Sequence, residues 1–214
     1  MTDRLPHALR SDALDNRERI LEAARALFAE GLDVPMREVA RRAGVAPATL
    51  YRRFPTKEML VTEAFAEQMH ACRAVVDEGL ADPDPWHGFC LVIEKMCELQ
   101  AHDRGFTAAL ISTFPNAVDF EARREYALTA IDELARRAKE AGRLRPDFVL
   151  DDVLLVLMAN SGIHAASPTT QVTASRRFAA LAISAFQASP DVPPLPPVVR
   201  LAPQASVPKR NQPG

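Results

Sequence analysis

The 214-residue chain has no excess of charge of either sign. Lys and Arg number 26 against 28 Asp and Glu, a formal net charge of −2. The molecule as a whole therefore has no field that would hold it to nucleic acid or to a membrane surface. Residues 1–60 hold 11 basic and 9 acidic residues, the remainder 15 and 19, so any nucleic-acid contact must come from local placement. Cysteine is scarce. Cys72, Cys90 and Cys97 form an odd set without framework spacing, which excludes a disulfide scaffold and predicts reduced thiols in a cytoplasm. Neither Cys90 with Cys97 nor His70 with Cys72 has a chelating spacing, so no metal site and no cofactor is expected. Apolar runs are short: Val153–Ala159 is far below membrane-spanning length, and residues 1–15 are too polar for a secretory leader. The Gly-x-Ser-x-Gly, P-loop, Gly-x-Gly-x-x-Gly and His-Glu-x-x-His signatures are missing, and no enzyme is expected. Asp151-Asp152 has a simpler explanation as acidic residues at a helix N-terminus.

Hydrophobic content of 48% with 25% charged residues fits a soluble globular chain of one or two domains. Pro35, Pro47, Pro55, Pro83/Pro85, Pro115, Pro146 and Pro168 each lie near a helix start. Between them the periodicity predicts helices near 16–30, 36–43, 47–53, 57–80, 85–101, 103–113, 117–141, 147–165 and 169–188, with few strand runs and no internal repeat. Residues 1–12 read as a flexible arm. Residues 189–214, with eight prolines, read as a disordered or polyproline-like tail.

Residues 36–58 carry the most information. Val39, Ala40 and Ala43 share a helical face, and Ala40 is small enough for a second helix to cross nearby. Gly44 stands where the first helix must stop in a left-handed residue. Pro47 suits the first turn of the second helix. Leu50 and Phe54 point to the core, leaving Pro47, Ala48, Thr49, Tyr51, Arg52 and Arg53 outside. Such a helix-turn-helix lays its second helix in the DNA major groove. Thr56 is a fitting N-cap for the following helix. Lys57 in its first turn opposes the helix dipole, which is understandable if a phosphate faces it.

These residues, with Ile20, Ala23, Ala24 and Phe28-Ala29-Glu30-Gly31 before them and Thr49-Leu50-Tyr51-x2-Phe54-Pro55-x-Lys57-Glu58 after Gly44-Val45, resemble the TetR family of transcriptional regulators. The close match covers residues 16–65. Pro35-Met36 departs from the Thr or Ser with which the family usually begins this helix. The resemblance implies an all-α fold of about nine helices: a helix-turn-helix domain at 13–56 and a ligand-binding and dimerisation domain at 57–188. It also implies a small effector that moves the long linking helix. On this reading Pro47, Ala48, Thr49 and Arg52 meet base edges, with Arg37 reaching from the preceding helix. Tyr51, Arg53 and Lys57 hold phosphates.

In the second domain, Phe65, Met69, Trp86, Phe89, Met96, Phe106, Leu110 and Tyr126 either line an apolar cavity or fill the core. His70, His102, Glu94 and Asn160 are the candidate polar anchors. The helices at 147–165 and 169–188 have surplus apolar surface. They predict either a central helix wrapped by its neighbours or an isologous dimer through Val153, Leu157, Phe178, Leu181, Ala182 and Ala185. The resemblance favours the dimer. The expected function is that of a cytoplasmic homodimeric repressor, bound to a palindromic double-stranded DNA operator and released by a small-molecule effector. The alternative is a small-molecule binding or interaction protein that keeps the scaffold without operator recognition.

Overall fold

Prolines and capping residues cut the chain into helices much where the sequence places them. The computed structural model describes residues 5–29, 33–102, 106, 109, 118–191 and 193–198, with side chains from Asp15 onward. Among these residues there are nine helices and no strand: α1 (Leu5–Phe28), α2 (Met36–Ala43), α3 (Pro47–Arg53), α4 (Lys57–Ala64), α5 (Ala66–Ala81), α6 (Pro85–His102), α7 (Val118–Glu140), α8 (Leu150–Ser161) and α9 (Pro168–Phe186). No helix among them is long and apolar enough to cross a membrane. The helix expected over 103–113 lies outside the described residues, apart from Phe106 and Ala109.

Helices α1–α4 build a head around Ile20, Ala24 and Phe28 of α1, Val39 and Ala40 of α2, Leu50 of α3, Phe54, and Leu60 and Val61 of α4, all buried. The second domain is organised by α6, which packs against α5, α7, α8 and α9. Where α5 and α6 cross, two glycines face each other. A Cβ on Gly88 would lie 2.3 Å from the carbonyl oxygen of Gly79, and one on Gly79 would lie 2.9 Å from that of Gly88. The close crossing is thus possible only without side chains there. Asp84 accepts from the amides of Trp86 (2.9 Å) and His87 (3.3 Å), which caps α6 after the Asp82–Pro85 turn.

Three expectations need correction. α1 begins at Leu5, so residues 5–12 are helical where an arm was expected, and Asn16 lies within the helix and accepts from Arg19. The helix expected over 57–80 is interrupted at Phe65, whose backbone (φ −111°, ψ 15°) belongs to neither α4 nor α5. The proline-rich segment after α9 is tied down through Leu195. Leu144 and Gln187 form an isolated antiparallel bridge, and the Ala188 amide donates to the Arg143 carbonyl (2.8 Å). Arg145 anchors the rest. Its guanidinium, largely buried, donates to both carboxylate oxygens of Asp147 (2.6 and 3.0 Å) and to the carbonyls of Ala185 (3.2 Å) and Pro193 (2.9 Å). Asp147 also accepts from the Leu195 amide (2.7 Å), and these partners hold its carboxyl down at about 2. Residue 192 and residues 199–214 lie outside the described set.

Candidate nucleic-acid interface

The turn between α2 and α3 is made by backbone alone. Gly44 is left-handed (φ 65°, ψ 34°), and the Val45 amide returns to the Ala40 carbonyl at 3.0 Å. Val45 packs against the head core. Pro47 opens α3, Leu50 and Phe54 are fully buried beneath it, and the helix ends with the Phe54 amide on the Leu50 carbonyl (2.8 Å). Thr56 caps α4 by accepting from the Met59 amide at 3.2 Å. α2 starts after an extended Pro35 without a side-chain cap.

This frame decides what faces outward. Arg37, Pro47, Ala48, Tyr51 (49% exposed), Arg52 and Arg53 are exposed, and Thr49 and Lys57 are half-buried. Among the described residues Arg37, Arg42, Arg52, Arg53 and Lys57 enter no ion pair. Arg41 differs: its guanidinium forks onto Glu38 (2.9 and 2.5 Å), which holds the Glu38 carboxyl below its usual range. The sequence reading missed that pairing, although an acid three residues before an arginine on one helix is its signal.

Within the head, α1 also fastens α4. Arg17 Nη2 meets Glu63 Oε2 at 2.5 Å, and Arg25 Nη1 donates to the Ala64 carbonyl at 3.2 Å. The ring of Phe28 tilts against Phe65, with centroids 6.1 Å apart, and Phe65 in turn meets Phe106 at 6.1 Å.

In the second domain the predicted ligand residues separate. Phe65, Met69, Trp86, Phe89, Met96 and Phe106 are buried. Trp86 and Phe89 are stacked (5.8 Å, 18°), and Phe89 meets Phe148 (5.4 Å) and Phe186 (6.3 Å) edge-on. These two residues therefore belong to an aromatic plug joining α6, α9 and the α7–α8 loop. His70, His102 and Glu94 are exposed and do not face the core. Tyr126 is half-buried against the edge of the core, with its hydroxyl on Asp77 and the Arg73 guanidinium 4.3 Å above its ring. Leu110 lies outside the described residues. Asn160 is buried at the centre of a polar cluster the sequence did not foreshadow. Its Nδ2 donates to the Cys97 carbonyl (3.0 Å) and to Gln100 Oε1 (2.7 Å), while Ser175 Oγ lies 2.7 Å from Asn160 Oδ1 and 2.8 Å from the same carbonyl. A cleft of about 420 Å³ lies elsewhere, between the α7–α8 loop and the proline strap, lined among others by Gly142, Arg145, Asp147 and Pro190. It contains none of the predicted ligand residues.

Burial raises the Cys72 and Cys97 thiols to about 12 and that of half-buried Cys90 to about 11, so none is a ready nucleophile at neutral pH.

On the predicted dimer face, Val153 and Leu157 are spent on the protomer's own core. The exposed large apolar residues of α8 are Leu155 (48%) and Met158 (40%), on a different side of the helix from the expected pair. On α9 Leu181 is 60% exposed, Ala185 is exposed, and Phe178 and Ala182 are half-buried.

Comparison with known proteins follows the same division. Residues 20–64 match the family described as bacterial regulatory proteins, tetR family, and residues 84–184 match the C-terminal domain of SbtR-like transcriptional regulators. The HTH-type transcriptional regulator AqdR of Rhodococcus erythropolis is 31% identical over 153 residues, which is 69% of this chain and 72% of AqdR. The HTH-type transcriptional repressor KstR of Mycolicibacterium smegmatis is 33% identical over 103 residues, about half of each chain (47% and 50%). Among solved structures, the ketosteroid transcriptional regulator KstR2 of Mycobacterium tuberculosis superposes with a TM-score of 0.60 at 21% identity, covering 81% of this chain and 95% of that one. That likeness speaks for the fold.

Proposed function

Because this chain belongs to the TetR family of transcriptional regulators, we propose that it is a homodimeric repressor that sets α3 into successive major grooves of a palindromic operator and is released by a small-molecule effector. The observation that carries the reading is the α2–Gly44–α3 corner. Its buried side, Leu50 and Phe54, orients α3 so that Pro47, Ala48, Thr49 and Arg52 project together. Arg52 offers a forked donor to guanine, and small Pro47 and Ala48 permit close approach. Lys57, half-buried at the dipole-disfavoured end of α4, and Tyr51 and Arg53 suit phosphate oxygens. Arg37 reads from α2. That KstR is a repressor supports the same sign of regulation here. The proposed division places DNA recognition in residues 13–64 and effector binding and dimerisation in 65–188, within a cytoplasmic protein.

Binding to DNA selected from random fragments tests the reading. Lys57→Ala is expected to weaken selected and random DNA alike and to reduce the log–log salt slope by about one unit per subunit of the dimer. Arg52→Ala is expected to cost about 1–3 kcal/mol of base discrimination at one symmetric pair of positions. A slope unchanged in the first variant, or identical preferences in the second, contradicts the assigned role.

Leu155 and Met158 on α8 with Leu181 on α9 present the apolar area that supports the dimer. Leu181→Glu is expected to yield a folded monomer by light scattering, because symmetry buries the added charge twice. A dimer of undiminished affinity would remove α9 from the interface.

A further inference from the structure

Residues 36–57 carry six basic side chains and a single acid, Glu38. An acid on a surface that faces a polyanion needs a reason. Its carboxylate takes one edge of the Arg41 guanidinium: Nε donates to Oε2 at 2.9 Å and Nη2 to Oε1 at 2.5 Å. Arginine has five N–H groups in a rigid fork. The other three, two on Nη1 and one on Nη2, form the end of that fork and meet no acceptor among the described residues. The pair is open to solvent, with the Arg41 side chain 74% exposed and that of Glu38 34%. Arg41 also stands at the corner that leads into α3. Its carbonyl accepts from the Gly44 amide (3.2 Å) where the chain turns, a few residues before the N-terminal end of α3, the end that meets base edges in a helix-turn-helix. Arg37, one helical turn earlier, lies on the same face of α2.

We propose that Arg41 reads a guanine from α2, and that Glu38 is its positioning residue, holding the guanidinium so that the free end of the fork meets O6 and N7 of the base. This rests on the DNA-binding reading above and adds to it a reader and the group that aims it. The ion pair itself decides between a base and a phosphate. A phosphate contact gains from charge and from counterion release. The Glu38–Arg41 pair has no net charge to offer, and its carboxylate would repel the phosphate. The guanine edge is an uncharged pair of acceptors that rewards geometry, and a bidentate Arg or Lys is its commonest partner. A solvated arginine samples many rotamers and loses that freedom when it binds. Glu38 has already removed much of it. The one acid of the motif thus weakens the general hold on DNA and gives direction to one contact.

The test uses the full-length protein. Duplexes selected from random fragments give its base preferences, and salt titrations on random DNA give its general hold. The double variant Glu38→Gln/Arg41→Gln keeps the net charge. It is expected to lose about tenfold in preference for guanine at one symmetric pair of positions, different from the pair affected in Arg52→Ala, with the salt slope on random DNA unchanged. Glu38→Gln alone separates aim from charge. It adds one positive charge per subunit, so random DNA is expected to bind more tightly and with a steeper slope, while the guanine preference falls to about a third or less of its wild-type value as Arg41 regains its rotamers. Arg42→Ala, which removes an exposed arginine of the same helix that enters no ion pair, is the control and should keep the wild-type preferences. None of the three side chains belongs to the core, so the variants are expected to melt with wild type. Wild-type preferences at every position in the double variant overturn the inference while leaving the DNA-binding reading intact. An undiminished guanine preference in Glu38→Gln overturns the role of Glu38. Wild type that selects no DNA at all defeats the functional reading itself.

Discussion

Gly88→Ala is expected to lower the melting temperature by at least about 4 °C, although alanine favours helix. The added methyl gains about 1 kcal/mol in helix propensity, since an interior glycine is that much worse than alanine. Against this stands the Gly79 carbonyl oxygen, 2.3 Å from the new Cβ, with the Gly79 carbonyl carbon at 3.2 Å. Those are backbone atoms, and they cannot rotate away as the end of a flexible side chain could. α5 and α6 must separate along their whole contact, which places the cost at the upper end of the ~1–3 kcal/mol usual for overpacking. The net loss of ~2 kcal/mol corresponds to roughly 4–8 °C in a chain of this size. Gly162→Ala provides the contrast. Gly162 has an ordinary right-handed conformation (φ −76°, ψ −10°), and its nearest new neighbour would be 3.3 Å away, so little change is expected. A Gly88→Ala protein that melts at or above wild type would mean the two helices part without cost.

Asn160→Asp is expected to be more damaging, and increasingly so as pH rises. Asn160 gives two hydrogens to two acceptors, the Cys97 carbonyl and Gln100 Oε1, in a site 1% exposed. A carboxylate of the same shape would set negative charge against both oxygens, and its hydrogen-bonding neighbours Cys97, Gln100 and Ser175 carry no positive charge. The variant must either bury that charge, at about 3 kcal/mol or more, or keep a proton and raise its folded pKa. In the second case the unfolded chain ionises near pH 4 while the folded one does not. Stability relative to wild type is then greatest below pH 4 and is lost at up to ~1.4 kcal/mol per pH unit as pH climbs toward the raised folded value. Urea unfolding at pH 5 and pH 8 reads this directly, with the larger deficit expected at pH 8. Equal deficits at both would mean that the group at position 160 is solvated and the buried cluster is open to water.

The parts of the fold that were legible in the sequence are those whose causes are local. The bounds of α2 and α3, the left-handed Gly44, the Pro47 start and the Thr56 cap all follow from residues within a few positions of one another. The tie from Arg25 to the Ala64 carbonyl did not, because its partners lie 39 residues apart. The strap behaves likewise: composition speaks for loose polyproline, while Arg145 reaches across 48 residues to Pro193. α8 is apolar all round, so its sequence could not tell the inward pair Val153 and Leu157 from the outward pair Leu155 and Met158. His70 and His102 were picked for their chemistry. For His70 the phase of α5 answers differently: with Met69 and Cys72 buried, His70 must point away. The glycine pair was visible but mute, since a glycine inside a helical pattern says that something comes close without saying what.

The fastening of α4 to α1 bears on how such heads are inherited and exchanged. A recombination joint placed before Lys57 would set Arg17 and Arg25 opposite a foreign helix, where the carboxylate of Glu63 need not exist and the carbonyl at position 64 need not face Arg25. A joint placed at Phe65 carries both partners of each bond across together and leaves one seam to be matched, the contact of a Phe65 ring with whatever the recipient offers at position 106. Under the proposed function the transferable unit of DNA specificity is α1 through α4, and chimeras cut there are expected to inherit the donor's binding sites while keeping the recipient's second domain whole.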